Sequence, residues 1–148
     1  MKKTLILTTA LTGFAFAASA AEVTVMSWGG SYTKSQVEAY HKPFTAETGI
    51  TVNSVDSDNP ATPIKAQVEA GNVTVDVADV EFSDAIRLCD EGLLETIDVS
   101  MLPAAPDGTS AADDFIEGAL QDCAVANIVW STVFAYNSAN NDGTPTTI

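Results

Sequence analysis

The sequence predicts an α/β chain: a mostly parallel sheet with helices on both faces. Three observations carry this. Strand-type and helix-type patterns alternate three times at short spacing, which favours parallel strands joined by helical crossovers. Glycines stand where each helical pattern stops, at Gly49, Gly71 and Gly92. Each strand pattern is short and rich in valine, isoleucine and threonine, as strands buried between helix layers are.

Val23–Trp28 alternates and reads as a first strand, with a tight turn at Gly29-Gly30-Ser31-Tyr32. Val37, Tyr40 and Phe44 then share a helical face. Pro43 lies inside that pattern and should kink or split the helix. Ile50–Val55 is a second strand and Asp56–Ala61 a polar loop. Thr62-Pro63 reads as a cap followed by proline at the first helical position. Val75–Val80 is a third strand, and Ser83 can cap the helix that places Ala85, Leu88 and Cys89 on one side. Asp98–Asp113 is a long surface loop and Asp114–Leu120 a short helix. Val125–Tyr136 is nearly all apolar and predicts one or two buried strands, with Trp130 in the core by its pattern.

Before these elements lies an export signature. Lys2 and Lys3 precede an apolar run from Leu5 to Phe16, and Ala18-Ser19-Ala20 is a small-residue cleavage site. Residues 1–20 therefore read as a signal peptide, and the run is too short to span a bilayer, which takes roughly 20 residues. Two of the six bases leave with it and none of the twenty acids, so the formal charge of the mature chain is −16. Such a chain repels nucleic acid and anionic lipid and attracts cations.

The chemistry of most enzyme classes is missing. There is no G-x-S-x-G, no G-x-x-x-x-G-K-[ST] and no G-x-G-x-x-G. The single histidine, His41, lies inside a helical pattern, which leaves a Ser-His-Asp triad and an exported α/β hydrolase as minor alternatives. No metal-ligand spacing appears, and no cofactor is implied. Cys89 and Cys123 do not form a C-x-x-C pair; an even count in an exported chain points to a bridge between them, with two buried free thiols as the alternative.

What remains is recognition. In parallel sheets ligands bind beyond the carboxyl ends of the strands. Trp28 stands at such an end, followed by two glycines, and Tyr32 adds a second ring. Glu81, Phe82 and Ser83 come after the third strand and pair a carboxylate with an aromatic. A flat ring beside a carboxylate holds alkylammonium groups by cation–π attraction and ion pairing.

Val25-Met26-Ser27-Trp28-Gly29-Gly30-Ser31-Tyr32, Pro43–Val52, Asp76–Val80, Asp90–Asp98 and Ile128–Thr132 together resemble periplasmic solute-binding proteins of ATP-binding-cassette importers, in the spermidine/putrescine-binding group. The resemblance implies a type II periplasmic binding protein-like fold, of which residues 21–137 would be the N-terminal lobe and residues 138–148 a crossover segment into a second lobe. It implies a periplasmic monomer that is no enzyme, captures a polyamine and passes it to an inner-membrane permease. It carries ligand contact onto Trp28, Gly29, Tyr32, Glu81, Phe82, Ser83, Trp130 and Ser131. A binder of the same superfamily for another solute, ferric ion or another organic solute, is the alternative, though Tyr32, Tyr40 and Tyr136 are few for iron chemistry. The chain stops where a helical pattern begins, so a longer protein is expected.

Overall fold

The computed structural model describes residues 21–140. The signal-peptide expectation for residues 1–20 and the last residues of the crossover segment lie outside the described residues. The chain divides into two compact units, one ending at Val80 and one beginning at Glu81.

The first unit is built on three parallel strands: β1 (Glu22–Ser27), β2 (Thr51–Asp56) and β3 (Val77–Ala78), in the order β2-β1-β3. β1 pairs with β2 over its whole length, from Glu22 against Thr51 to Ser27 against Asp56. On its other side Val25 and Met26 face Val77 and Ala78. The first connection moves to one side of β1 and the second returns across it. Right-handed crossovers then put the two sets of helices on opposite faces of the sheet.

β3 is shorter than Val75–Val80 predicts, because side chains compete with its ladder. The Thr24 N–H donates to the Asp76 carboxylate at 2.7 Å instead of to a backbone carbonyl. Pairing with β1 persists at both ends, with Asp76 N–H donating to Thr24 O and Asp79 N–H to Met26 O.

The first crossover is one continuous helical stretch: α1 (Gly30–Gln36), a π turn (Val37–His41) and α2 (Lys42–Thr48). Helix begins at Gly30, so Ser31 and Tyr32 form its first turn rather than a separate loop. Proline is the cause of the π turn. Pro43 has no N–H, and its ring crowds the carbonyl four residues back. The chain widens just before it, and Lys42 N–H reaches Val37 O, five residues back. The extra residue rotates α2 by about 100° around the helix axis relative to α1. Tyr40 and Phe44 consequently end up exposed instead of sharing a buried face with Val37.

α3 (Ala61–Glu69) starts two residues earlier than the Thr62-Pro63 signal suggests. Asn59 sets the start: its side-chain oxygen accepts from Ala61 N–H and its carbonyl from Thr62 N–H. Pro63 then falls within the first turn, where a missing N–H costs nothing. A Schellman closure ends the helix, with Gly71 N–H on Val68 O and Asn72 N–H on Gln67 O.

The second unit opens with α4 (Phe82–Asp90). Its N-cap is Glu81, in extended conformation, so Ser83 lies in the first turn and does not cap. Ala85 and Leu88 are its buried face. Gly92 N–H on Cys89 O and Leu93 N–H on Leu88 O close a second Schellman motif. A short 3-10 turn (Val99–Met101) comes next, then α5 (Ala111–Asp114). The helix expected over Asp114–Leu120 is displaced to α5 because Asp113 and Asp114 suit a helix N-terminus and Phe115 is already extended. β4 (Leu120–Gln121) and β5 (Ala124–Val125) form an antiparallel hairpin. A disulfide joins Cys89 on α4 to Cys123 in the hairpin turn, with Cα atoms 5.8 Å apart.

The apolar run after β5 departs most from the expected pattern. Ile128, Val129, Trp130, Val133, Phe134 and Tyr136 are all exposed and no strand is formed. An apolar run becomes a buried strand only when a ladder partner and an opposing layer exist. Among the described residues this run has no ladder partner. Trp130 is 61% exposed and is not core. A last 3-10 turn covers Ser138–Asn140.

Candidate functional site

The strand order β2-β1-β3 makes a topological switch at β1, where successive connections leave in opposite directions. Ligands of open α/β sheets bind at such a switch, outside the carboxyl ends of the strands. The carboxyl-end rim of the first unit's strands carries Trp28 just past β1, Asp56 at the end of β2 and Asp79 just past β3, while Ser27, the last residue of β1, is buried.

Trp28 is half-buried at this rim, and Tyr32 is half-buried one helical turn further on. Gly29 joins the two and has no substitute. Its φ of 81° with ψ of −174° belongs to a region essentially restricted to glycine. A Cβ there would also stand 3.2 Å from Asp56 Cγ and Oδ2. That close approach brings a carboxylate of β2 against the backbone just past the indole. Gly29 N–H is not open to a ligand, since it donates to Thr33 Oγ1 at 2.8 Å.

Beneath the rim lies a polar cluster. Ser27 is 1% exposed and Gln36 5%. The Ser27 hydroxyl donates to Gln36 Oε1 at 2.7 Å and lies 3.1 Å from Asp79 Oδ2. Gln36 Nε2 donates to the same Asp79 oxygen at 2.7 Å. Among the described residues no buried side-chain polar atom lacks a partner.

In the second unit Glu81 is half-buried at the start of α4, while Phe82 is 56% exposed and Ser83 exposed. Trp130 and Ser131 lie in the exposed run after β5. Arg87 on α4 is held by Asp84 at 2.7 Å and Glu91 at 3.2 Å, and hydrogen bonds to these two carboxylates raise its pKa. Among the described residues no group of three or more His, Cys, Asp or Glu could hold a metal ion. No described helix is long and apolar enough to cross a membrane.

The structure thus brings Trp28, Gly29 and Tyr32 to one rim. Sequence reasoning placed Asp56 at the start of the polar loop after the second strand and did not name it as a ligand contact, whereas it is the last residue of β2. Ser27, Gln36 and Asp79 were missed. Nothing in their spacing marks them, because they meet only when β1, α1 and β3 come together.

A strand-end rim that offers rings beside carboxylates can hold an alkylammonium group. Residues 39–148 match the family model described as Bacterial extracellular solute-binding protein, and the chain belongs to that family. It is 39% identical over 132 residues to the "Gamma-aminobutyric acid-binding protein" of Pseudomonas aeruginosa strain PAO1, covering 86% of this chain and 36% of that relative. Solved structures agree. The PBP AgtB from A.tumefacien R10 in complex with agropinic acid is 34% identical at a TM-score of 0.54, over 59% of this chain and 27% of that one. An ABC transporter protein from Rhodopseudomonas palustris is 32% identical at a TM-score of 0.51, over 56% and 25%. The chain therefore spans about a third of the length of the curated relative it matches.

Proposed function

We propose that this chain supplies one lobe of the extracytoplasmic substrate-binding component of an ABC importer, and that its rim takes the ammonium end of a small amine-bearing solute. The observation that supports this is the close approach of the Asp56 carboxylate to the backbone of Gly29, the residue that follows Trp28. Ring faces attract alkylammonium groups and a carboxylate completes the pair. The net negative charge of the chain favours cationic solutes in general.

Gamma-aminobutyric acid, which names the curated relative, shares an alkylammonium end with putrescine and spermidine. The first of these is the leading ligand, and the polyamines are the runners-up. Residues 21–137 would act as the lobe and 138–148 as the crossover toward the other. Residues 1–20 would direct export to the periplasm, where a monomer meets its permease. Binding would close the two lobes around the solute.

Isothermal titration of the full-length protein with gamma-aminobutyric acid, putrescine and spermidine tests the reading. Heat with at least one amine, lost in Trp28→Ala, is the expected result. Silence with all three, together with tight binding of a sugar or an amine-free carboxylate, overturns it.

A further inference from the structure

We propose that Gln36 and Asp79 are positioning residues for Trp28, acting through Ser27; this rests on the reading of the Trp28 rim as the ligand site. Trp28 is flanked by two clamped residues. On one side Ser27 carries the polar cluster, and its carbonyl also accepts from Ser57 N–H at 2.8 Å. On the other side Gly29 N–H is fixed to Thr33 Oγ1, and Gly29 O accepts from Thr33 N–H. The Trp28 backbone is therefore held between two anchored neighbours.

The cluster has a direction. Gln36 must turn its amide nitrogen toward Asp79, because the reverse would set a carbonyl oxygen 2.7 Å from a carboxylate oxygen. Its oxygen then faces Ser27, whose single hydroxyl hydrogen is shared between Gln36 Oε1 and Asp79 Oδ2. One geometry satisfies all three side chains, and a rotated Ser27 or a shifted α1 leaves a buried polar group unpaired. Three elements are tied in this way: the end of β1, the inner face of α1 and the residue after β3.

Simple stability would not call for this chemistry. Apolar side chains of matching shape fill a buried site at little or no cost. A fully satisfied polar cluster adds uniqueness of arrangement. Gln36 and Ser27 are both buried, so their side chains act beneath the rim rather than on a ligand at it. Their effect on binding passes through where the indole stands. If loss of the cluster leaves about one molecule in ten with Trp28 in its binding position, apparent affinity falls about tenfold.

The test is fluorine NMR of the full-length protein labelled with 5-fluorotryptophan. The Trp28 line is identified by its disappearance in Trp28→Phe. In Gln36→Met, which keeps the side-chain length and removes both hydrogen bonds, the Trp28 line should shift, split or broaden. The Trp130 line should stay in place, and affinity for the bound amine should drop about tenfold. Ser27→Ala keeps the Gln36–Asp79 bond and should move the same line less, which covers the case in which Gln36→Met fails to fold. An unmoved Trp28 line in a folded variant of lower melting temperature reduces the cluster to a structural role and overturns the proposal. If the wild-type protein binds no amine, the functional reading falls, while the fluorine spectrum still decides whether the cluster places the indole.

Discussion

Gly29→Ala is the sharpest test of how the rim is built. Two separate penalties meet at this position. The first is conformational: φ 81° and ψ −174° lie where a Cβ is excluded, at about 1–3 kcal/mol. The second is contact. The new Cβ would stand 3.2 Å from Asp56 Cγ and Oδ2 and 3.3 Å from Asp56 Cβ, inside the usual 3.5–4.0 Å optimum. Asp56 is exposed, so its carboxylate swings away cheaply. Its Cβ belongs to β2 and is held by the register of Asp56 against Ser27. The contact therefore adds less than the torsion, and the sum is about 2–4 kcal/mol.

Gly30 is the built-in control. It has φ 58° but open space around it, so Gly30→Ala should cost only the left-handed penalty of about 1–2 kcal/mol. Urea unfolding monitored by far-ultraviolet circular dichroism measures both, as a change in midpoint at constant slope. Asp56→Ala should recover the part of the Gly29→Ala loss due to the carboxylate and leave the torsional part. If Gly29→Ala proves no more destabilising than Gly30→Ala, the close packing of β2 against this turn is refuted.

Trp28→Ala should weaken amine binding by about 1–2 kcal/mol if the indole stacks on the ammonium, and calorimetry showing unchanged affinity would make Trp28 a packing residue. Reducing the Cys89–Cys123 disulfide, whose cysteines are 34 residues apart, should lower stability by about 4 kcal/mol in the chain-entropy model, read from urea midpoints with and without reductant. Asp98 is held below the usual carboxylate range by hydrogen bonds from the Ser100 side chain and backbone N–H, and Asp107 likewise by the backbone N–H and side chain of Thr109. Each folded-state value lies under the unfolded one, so the stabilisation is present above the unfolded pKa and disappears as pH falls through the folded one. Carbon-detected NMR titration should find both midpoints below about 3.9, and midpoints at or above that value would refute the assignment.

Much of this protein was legible from residue order, and the reason is local. Gly49 ends its helix in left-handed conformation because little else tolerates φ 74°. Pro43 forced an irregularity because a proline deletes a donor whatever surrounds it. β1 and β2 lie within one residue of their predicted spans, since β-branched alternation and flanking turns act over a few residues. Trp28 and Gly29 were legible as a strand-end pair for the same reason. The starts of α3 and α4 were misjudged because Thr62 and Ser83, better capping side chains, stand two residues past the true N-caps Pro60 and Glu81.

Residue order by itself determined the alternation of strands and helices and the stops between them, and its motifs marked the solute-binding family without marking the ligand. The alternation and the stops depend on interactions within a few residues. Tertiary structure alone decided that β1 lies between β2 and β3, that Asp76 cuts the third strand short, and that the apolar run around Trp130 stays exposed. It also decided that the buried Ser27 and Gln36 meet the half-buried Asp79. Those outcomes depend on which distant groups arrive to accept a proton or cover a surface, and no local pattern encodes who arrives.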